Sequence, residues 1–456
     1  MSRFRSVASA DPLSQLVGLV VFQPGALLAL VVYELMHRAG ASVEATLWAC
    51  GLVLAVTAAI RVVIRRTSLI WKVQRAMVEC GLTYVDGSGQ VQEPRPLWRG
   101  RRWEGKNVTV RWAMPPTVTL RSLAEHHREE IEQRCDVELV AYYDHGQIVT
   151  QLYGHRLPDH VLFDDLHREP FPSGRLVVPI GKGRRGNVYA DFESVRHLLI
   201  CGETGSGKSV ALRSLITSLA LRYEPDQLRF AFIDMKALEL AHFAELPHTA
   251  APIADDLNST LQLLTNVRAE MTRRMQLVRR HRLTSVDALN DTQRLPFVPR
   301  IIVIVDELAE LSVADQGGDK AARDAQRAAM SRLAEIGRIG RALSVHLICS
   351  LQRGDADALP GALKTNLPAT LAYRARDAIN SRIALSTDQA AFLPPMHPGR
   401  GLWAAGERVE EVQTPYVSDA DARAMLAQRY GLRDEGPDCV SRAPENTSQS
   451  DSGLWL

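Results

Sequence analysis

The sequence predicts an α/β domain built on a parallel sheet, preceded by a small α+β module and a hairpin of two membrane helices. Three observations lead to this architecture. Two long apolar runs lie within the first 64 residues, short β-branched runs alternate with helical segments from Leu176 onward, and a glycine-rich loop follows one of those short runs. The length of 456 residues fits about three domains at roughly 150 residues each.

The composition is that of a globular chain. Hydrophobic residues make up 46% and charged residues 23%, so the chain is neither disordered nor collagen-like. Lys and Arg number 54 against 52 Asp and Glu, and a net charge of +2 means that polyanion binding must come from a local patch. The six cysteines are scattered without a CxxC pair or a nearby His pair, which predicts reduced thiols and argues against a zinc site or a disulfide framework.

The N-terminal region predicts two membrane-spanning helices. Residues 13–36 carry one charge, Glu34, and a second apolar run over residues 45–64 is interrupted only by Arg61. Basic residues before the first run and after the second predict a multi-pass protein of the cytoplasmic membrane with both termini and the later domains in the cytoplasm. Gln23-Pro24-Gly25 interrupts the first run and favours the alternative, a pair of buried core helices.

The segment after the membrane helices predicts a small α+β module. It contains a Gly- and Pro-rich loop, one charged helical stretch and two short strands, and its function is not indicated by the sequence. Its adjacent His126 and His127 fit solvated surface residues better than metal ligands. The predicted domains are an anchor at 1–66, this module at 67–170, a nucleotide-binding domain at 171–430 and a disordered tail at 431–456.

A phosphate-binding loop is the strongest signal in the chain. The apolar run 196–201 leads into a stretch that matches GxxxxGK[ST] at every fixed position, and an apolar helix follows. Backbone N–H groups of such a loop turn inward around phosphates, and the helix N-terminus adds its positive end. We expect Lys208 to contact the β- and γ-phosphates of ATP and Ser209 to ligate Mg²⁺. The predicted nucleotide-binding residues are Gly202, Glu203, Thr204, Gly205, Ser206, Gly207, Lys208, Ser209 and Val210.

Polar residues at the ends of two further strands predict a hydrolytic site. The β-branched run 300–305 ends at Asp306 and Glu307, and the carboxyl ends of parallel strands meet at the ligand-binding edge of a sheet. We expect Asp306 to hold Mg²⁺, directly or through water, and Glu307 to polarise the attacking water. An acidic helix cap would explain the pair alone but not its occurrence with the phosphate loop. Gln352 is predicted to sense the γ-phosphate, with a polar strand end as the alternative.

These blocks together resemble the FtsK/SpoIIIE family of membrane-anchored DNA translocases, from about Leu176 to Ser418. The segments that carry the resemblance, in the family's order, are LVVPIGKGRRGNVYADFESVRHLLICGETGSGKSV, FAFIDMKALEL, IIVIVDELAEL, LAEIGRIGRALSVHLICSLQR and LPGALKTNLPATLAYRARDAINSRIAL. The resemblance implies a RecA-like motor that holds ATP between the subunits of a homo-oligomeric ring, usually a hexamer. It also implies that Arg382 reaches a neighbour's γ-phosphate, with Arg374 and Arg376 as alternatives.

The layout departs from that of the large chromosome pumps. Leu351 and Gly354 stand where the family often has Thr and Pro around the glutamine, and residues 312–329 look like an extra loop. No Pro/Gln-rich linker is present, and too few residues follow position 430 for a DNA-reading domain. The layout is similar to that of actinomycete conjugative transfer proteins, so we expect double-stranded DNA translocation in conjugation. The alternatives are septal chromosome partitioning and a type VII-like protein-secretion ATPase.

One arginine-rich helix is a candidate DNA-binding surface. Residues 267–282 have helical spacing, and their arginines cover much of one side, enough to contact phosphates without reading bases. The alternative is a solvated or subunit-facing side of the helix. The arginines concerned are Arg268, Arg273, Arg274, Arg279, Arg280 and Arg282.

Overall fold

The computed structural model describes residues 32–432 apart from residues 37, 41, 105–106, 155–156, 312–319, 353–358, 396 and 407. The chain divides into two compact units. The smaller contains Met1–Val140 and Asp144–Gly154, and the larger contains Ala141–Tyr143 and His155–Leu456. The larger unit thus begins before the predicted boundary at residue 171, because Phe163 packs in a small cluster with Val417 and Ala422.

The smaller unit has an α+β arrangement. Its helices are α1 (Val43–Thr67), α2 (Leu69–Glu79) and α3 (Arg128–Cys135), with a π-helical turn at Ser122–His126. Its strands are β1 (Tyr84–Val85), β2 (Val91–Gln92), β3 (Arg95–Glu104), β4 (Asn107–Ala113), β5 (Glu138–Asp144) and β6 (Gln147–Tyr153). A four-stranded sheet has the order β3-β4-β6-β5, and β1 pairs with β2.

The core of the smaller unit follows from the sequence periodicity. In α2 the buried residues Ile70, Val73 and Met77 recur at helical spacing and so form one apolar stripe. The Trp112 indole is buried in the sheet, and its Nε1 donates a 2.8 Å hydrogen bond to the Thr150 hydroxyl on the neighbouring strand. A buried indole N–H needs such a partner, since its desolvation is otherwise uncompensated.

The predicted membrane hairpin is not confirmed. Most of the first predicted span, residues 13–36, lies outside the described residues, and the second, residues 45–64, falls within α1. Within the described part of the chain, no helix combines the length and the apolarity that crossing a membrane requires. The two-helix anchor therefore stays a prediction.

The described residues of the larger unit form one nine-stranded sheet. Its strands are β7 (Val177–Gly183), β8 (Gly186–Asp191), β9 (Leu198–Cys201), β10 (Leu228–Ile233), β11 (Arg300–Val305), β12 (Val345–Leu351), β13 (Ala369–Tyr373), β14 (Arg400–Ala405) and β15 (Arg408–Gln413). Their order is β10-β11-β12-β9-β13-β14-β15-β7-β8. The first five strands in this order are parallel and the remaining pairs are antiparallel.

Helices cover both faces of the parallel strands. They are α4 (Phe163–His167), α5 (Phe192–Val195), α6 (Lys208–Arg222), α7 (Leu257–Arg280), α8 (Val286–Asp291), α9 (Lys320–Ile339), α10 (Gly361–Lys364), α11 (Ala378–Leu385) and α12 (Asp419–Tyr430). In β11, Ile301, Val303 and Val305 join one hydrophobic cluster, and Ile302 and Ile304 join another. This alternation shows that the strand is buried on both faces, as in parallel sheets generally.

The structure bears on two local predictions, the extra loop at residues 312–329 and the reduced state of the cysteines. The expected extra loop at residues 312–329 is wrong for its second half, because α9 begins at Lys320 and buries Ala329. Ala and Arg are good helix formers, so a stretch with alternating charges is as compatible with a helix as with a loop. The five cysteines in the described part of the chain, Cys50, Cys80, Cys135, Cys201 and Cys349, are free thiols as predicted.

Candidate functional site

The loop between β9 and α6 has the backbone conformation of a phosphate cradle. Gly202, Gly205 and Gly207 have φ angles of +148°, +78° and +114°, which side chains rarely adopt. A Cβ at Gly202 would lie 2.6 Å from Tyr373 Cβ, and one at Gly207 would lie 2.8 Å from Gly399 N. The loop therefore requires glycine at these positions, and it fits a bound nucleotide phosphate chain.

Lys208 is buried beneath this loop as the first residue of α6. Its side chain is only 8% exposed, and burial lowers the pKa of its ammonium group. Glu307 and Asp306 act in the opposite direction and favour the charged form. A buried cation that faces carboxylates at a glycine loop provides the charge that a polyphosphate needs.

Ser209 Oγ donates a hydrogen bond to a carboxylate that sequence reasoning missed. Its acceptor is Glu239 Oε1, at 2.9 Å. The turn that presents Glu239 is held by Asp234, which is fully buried and accepts from the backbone N–H groups of Leu240 at 2.9 Å and Lys236 at 3.2 Å. The signal that could have revealed Glu239 is its place just after the carboxyl end of β10, on the same edge as the phosphate loop.

Asp306 lies in a cluster of carboxylates. Burial is the main cause that raises the pKa of Asp306 to about 7, followed by the charges of Asp234, Glu239 and Glu307. Such a set of hard oxygen donors suits Mg²⁺. Ser209 and Asp306 stay the predicted ligands of the metal.

The carboxylate of Glu307 is held in place by hydrogen bonds from Gln352, the predicted sensor, at the end of β12. It is 6% exposed, and burial raises the pKa of its carboxyl above the usual value. Both of its carboxylate oxygens accept from the backbone N–H of Gln352 at 3.2 Å, and Oε1 accepts from Ala309 N at 3.3 Å. The carboxylate at the end of β11 is thereby oriented by the end of β12.

The side chain of Gln352 reaches the phosphate loop. The Thr204 hydroxyl donates to Gln352 Oε1 at 3.4 Å. Gln352 also lines a cavity of about 310 Å³ together with Glu203, Tyr373 and Arg376. Its position agrees with a sensor that contacts the nucleotide side of the loop, and that role stays a prediction.

Arg382 lies on α11 with an exposed side chain. Its side chain is 61% exposed, and the nearest carboxylate, that of Asp388, is 3.9 Å away. The alternatives lie beside their own phosphate loop: the Arg374 carbonyl accepts from Glu203 N at 3.0 Å, and Arg376 lines the 310 Å³ cavity. Arg376 and Arg382 are both exposed, as a residue acting on a neighbouring subunit must be, and the assignment of that role to Arg382 stays a prediction.

The arginine-rich helix α7 is only partly available to DNA. Arg274 is fully buried, and its Nε donates to Glu270 Oε1 at 2.7 Å, so its assignment to the DNA-binding surface is wrong. Arg273 also bonds Glu270, and Arg268 pairs with Glu335 at 3.3 Å. The helical spacing placed these residues on one side, but that side faces the strand–helix core over part of its length.

The FtsK/SpoIIIE family model matches residues 162–296 and 288–355, which contain the phosphate loop and the carboxylate pair. Residues 162–355 are thus similar to the FtsK/SpoIIIE family, which confirms the resemblance that the sequence predicts. The protein is an ATPase.

Individual relatives agree with this assignment. DNA translocase FtsK of Helicobacter pylori strain J99 is 36% identical over 225 residues, which are 48% of this chain and 26% of the relative. DNA translocase FtsK of Lactiplantibacillus plantarum is 32% identical over 273 residues, which are 56% of this chain and 32% of the relative. The chain thus spans about a quarter to a third of the length of these relatives.

A solved structure confirms the fold. The pCW3 conjugation coupling protein TcpA, in its monomer form with ATPγS, has a TM-score of 0.61 and 22% sequence identity to this chain. The match covers 78% of this chain and 98% of that one. The RecA-like P-loop NTPase fold of the motor domain is therefore confirmed.

Proposed function

We propose that this protein is an ATP-driven translocase of double-stranded DNA. The observation that carries the proposal is the convergence of Lys208, Ser209, Asp306 and Glu307 on one edge of the sheet, in a domain similar to the FtsK/SpoIIIE family. Each of these residue types supplies one function that hydrolysis of ATP needs. The FtsK relatives are DNA translocases, which supports DNA as the substrate that the motor moves.

The arrangement supports the following chemistry. Lys208 and the backbone N–H groups of the loop bind the β- and γ-phosphates, and Ser209 and Asp306 hold Mg²⁺. When bound, Mg²⁺ neutralises phosphate charge that develops as the terminal bond breaks. Glu307 accepts a hydrogen bond from the attacking water and takes its proton as the water oxygen bonds to the γ-phosphorus. The bond from that phosphorus to ADP breaks, and ADP and inorganic phosphate leave.

The geometry of Glu307 favours a base over an ordinary surface carboxylate. Its burial raises the pKa, so the carboxylate binds a proton more readily than an exposed one. Two hydrogen bonds from one backbone N–H keep it from rotating away from the water position. Positioned acid–base groups contribute about 10²- to 10⁴-fold to rate.

We further propose that the motor acts as a homo-oligomeric ring, usually a hexamer in this family. The exposed position of Arg382 supports a role in a neighbouring subunit's site. Mixing Lys208→Ala chains with Arg382→Ala chains tests this role. If the arginine acts in trans, mixed rings recover part of the activity, because some interfaces combine an intact loop with an intact arginine.

We also propose attachment to the cytoplasmic membrane and a role in conjugative transfer. The two apolar runs with basic flanks support a multi-pass anchor with a cytoplasmic motor. Val43, Leu47, Trp48 and Leu52 on α1 are large apolar side chains that are exposed, and lipid would cover them. The fold shared with a conjugation coupling protein supports the conjugative setting. The alternatives are septal chromosome partitioning and type VII-like protein secretion.

The test is ATP hydrolysis by the full chain in detergent, with and without duplex DNA. We expect strong stimulation by duplexes of unrelated sequence, loss of nucleotide binding in Lys208→Ala, and retained binding without turnover in Glu307→Gln. Hydrolysis that ignores DNA would contradict the translocase proposal and leave the secretion alternative. Extraction of native membranes at alkaline pH tests the anchor, since a spanning protein stays in the pellet and a peripheral one is released.

A further inference from the structure

Three metal-binding side chains converge in the smaller unit, away from the ATPase site. Cys80 is the residue that follows α2, His127 is the residue that precedes α3, and Glu130 lies in the first turn of α3. One ligand atom from each of them lies within 4.8 Å of the corresponding atoms of the other two. A metal ion about 2.0–2.3 Å from each atom is compatible with such separations, since two ligands of a tetrahedral ion are themselves 3–4 Å apart.

The chemistry of this set selects zinc. A thiolate, an imidazole and a carboxylate are all common zinc ligands, and the sulfur and nitrogen donors disfavour Mg²⁺ and Ca²⁺. We propose that Cys80, His127 and Glu130 bind one Zn²⁺ ion, with water in the fourth tetrahedral position.

The side chain of Arg134 makes hydrogen bonds beside the three proposed zinc ligands. Its Nε and Nη2 both donate to Glu130 Oε1, at 3.1 and 2.6 Å, and the Cys80 thiol is hydrogen-bonded to the same carboxylate. Its Nη1 donates to Glu79, the neighbour of Cys80, at 2.8 Å. Hydrogen bonds of this kind orient ligating carboxylates in metal sites. The same arginine therefore holds both helix ends in the relative position that the ion needs.

The position of the site indicates what the ion does. His127 comes 47 positions after Cys80, and the residues between them include β1 to β4. An ion shared by them ties the end of α2 to the start of α3 and removes loop-closure entropy from the unfolded unit. We therefore assign the zinc a structural role in the unit that connects the predicted anchor to the motor.

The test uses the full chain, purified in detergent without chelator and then loaded with one equivalent of Zn²⁺ or Co²⁺. After gel filtration, we expect about one zinc per chain by mass spectrometry of the metal. The Co²⁺ form should show the charge-transfer absorption that a thiolate–cobalt bond produces. The cobalt spectrum of the unmutated chain does not depend on whether any variant folds.

Matched variants locate the ligands. Cys80→Ser should abolish the thiolate–cobalt band and His127→Gln should lower zinc content at least tenfold, because each removes one of three ligands. Cys135→Ser and His126→Gln change the neighbouring thiol and the adjacent imidazole, and both should keep zinc and the band. Zinc content near zero in the unmutated chain, or zinc retained after loss of both Cys80 and His127, would overturn the proposal.

Discussion

Glu239 is the residue at which the structure adds most to the predicted nucleotide site. The serine of a phosphate loop keeps its hydroxyl proton while a lone pair coordinates Mg²⁺, so that proton needs an acceptor. Glu239 Oε1 is that acceptor, 2.9 Å from Ser209 Oγ. The substitution Glu239→Gln keeps the size of the side chain and an acceptor oxygen but removes the charge.

The size of the effect follows from the kind of hydrogen bond. A bond to a charged acceptor contributes about 1.5–3 kcal/mol and a neutral one about 0.5–1.5 kcal/mol, so the substitution should cost about 1–1.5 kcal/mol. At about 1.4 kcal/mol per tenfold, this is roughly a 5- to 10-fold weaker contribution of Mg²⁺ to nucleotide binding. A second effect opposes it, since the charge of Glu239 helps to raise the pKa of Asp306 to about 7.

The assay separates these two effects by pH. At pH 8, above the Asp306 pKa of about 7, Asp306 is mostly ionised in both proteins, so its titration contributes little to the difference. Binding of a fluorescent ADP is measured with and without Mg²⁺. The dissociation constant without Mg²⁺, divided by the one with Mg²⁺, is a ratio that gives the contribution of the metal. We expect this ratio to fall 5- to 10-fold in Glu239→Gln, whereas the affinity without Mg²⁺ changes little.

Glu245→Gln is the control, because it removes the same charge from an exposed residue six positions along the chain (245 − 239 = 6). Its ratio should match that of the unmutated chain, which excludes a general change in net charge. An unchanged ratio in Glu239→Gln would refute the reasoning that this carboxylate supports Ser209. A lost affinity in the absence of Mg²⁺ would also refute it, since the loop itself would then be disturbed.

Three further predictions concern other parts of the motor. Glu270→Ala leaves the fully buried Arg274 without its carboxylate, so urea unfolding should show that the free energy of unfolding falls by about 3–5 kcal/mol. Glu335→Ala is the control: it removes the partner of an exposed arginine and should lower the free energy of unfolding by less than about 1 kcal/mol. Gly207→Ala places a Cβ 2.8 Å from a backbone nitrogen at φ +114°, so calorimetric titration should detect no nucleotide binding. Burial lowers the pKa of His346 to about 4, so below about pH 6.5 this histidine binds a proton in the unfolded chain but stays neutral in the folded one. Because of this residue, the free energy of unfolding should fall by about 2 kcal/mol between pH 7 and pH 5. In the same urea assay, this decrease should be about 2 kcal/mol smaller for His346→Gln than for the unmutated chain.

Much of the site could be predicted because its residues are contiguous in the chain. The phosphate loop from Gly202 to Ser209 is defined by one motif between a strand and a helix, and Asp306 and Glu307 are placed by the end of one strand. For such elements the local sequence dictates the backbone, and the parallel sheet then brings the strand ends together.

The remaining features depend on contacts between distant segments. Glu239 meets Ser209 only because β10 and the phosphate loop end at the same edge of the sheet, and no spacing rule connects them. The proposed ligands Cys80, His127 and Glu130 lie at the facing ends of two helices that are four strands apart in sequence, so a search for CxxC pairs could not find them. The prediction that Arg274 belongs to a DNA-binding surface is wrong for the same reason, since helical periodicity identifies a side of α7 but not what packs against it.

The hydrogen bonds between Gln352 and Glu307 have a mechanical consequence. The two oxygens of this carboxylate share a donor that belongs to another strand, so a sub-ångström shift of the end of β12 lengthens both bonds together. If Gln352 is the sensor that the sequence predicts, release of the γ-phosphate would remove one of its contacts and let the end of β12 shift. Such a shift would link hydrolysis to displacement through the peptide group of Gln352, because it would also turn Glu307 away from the next water.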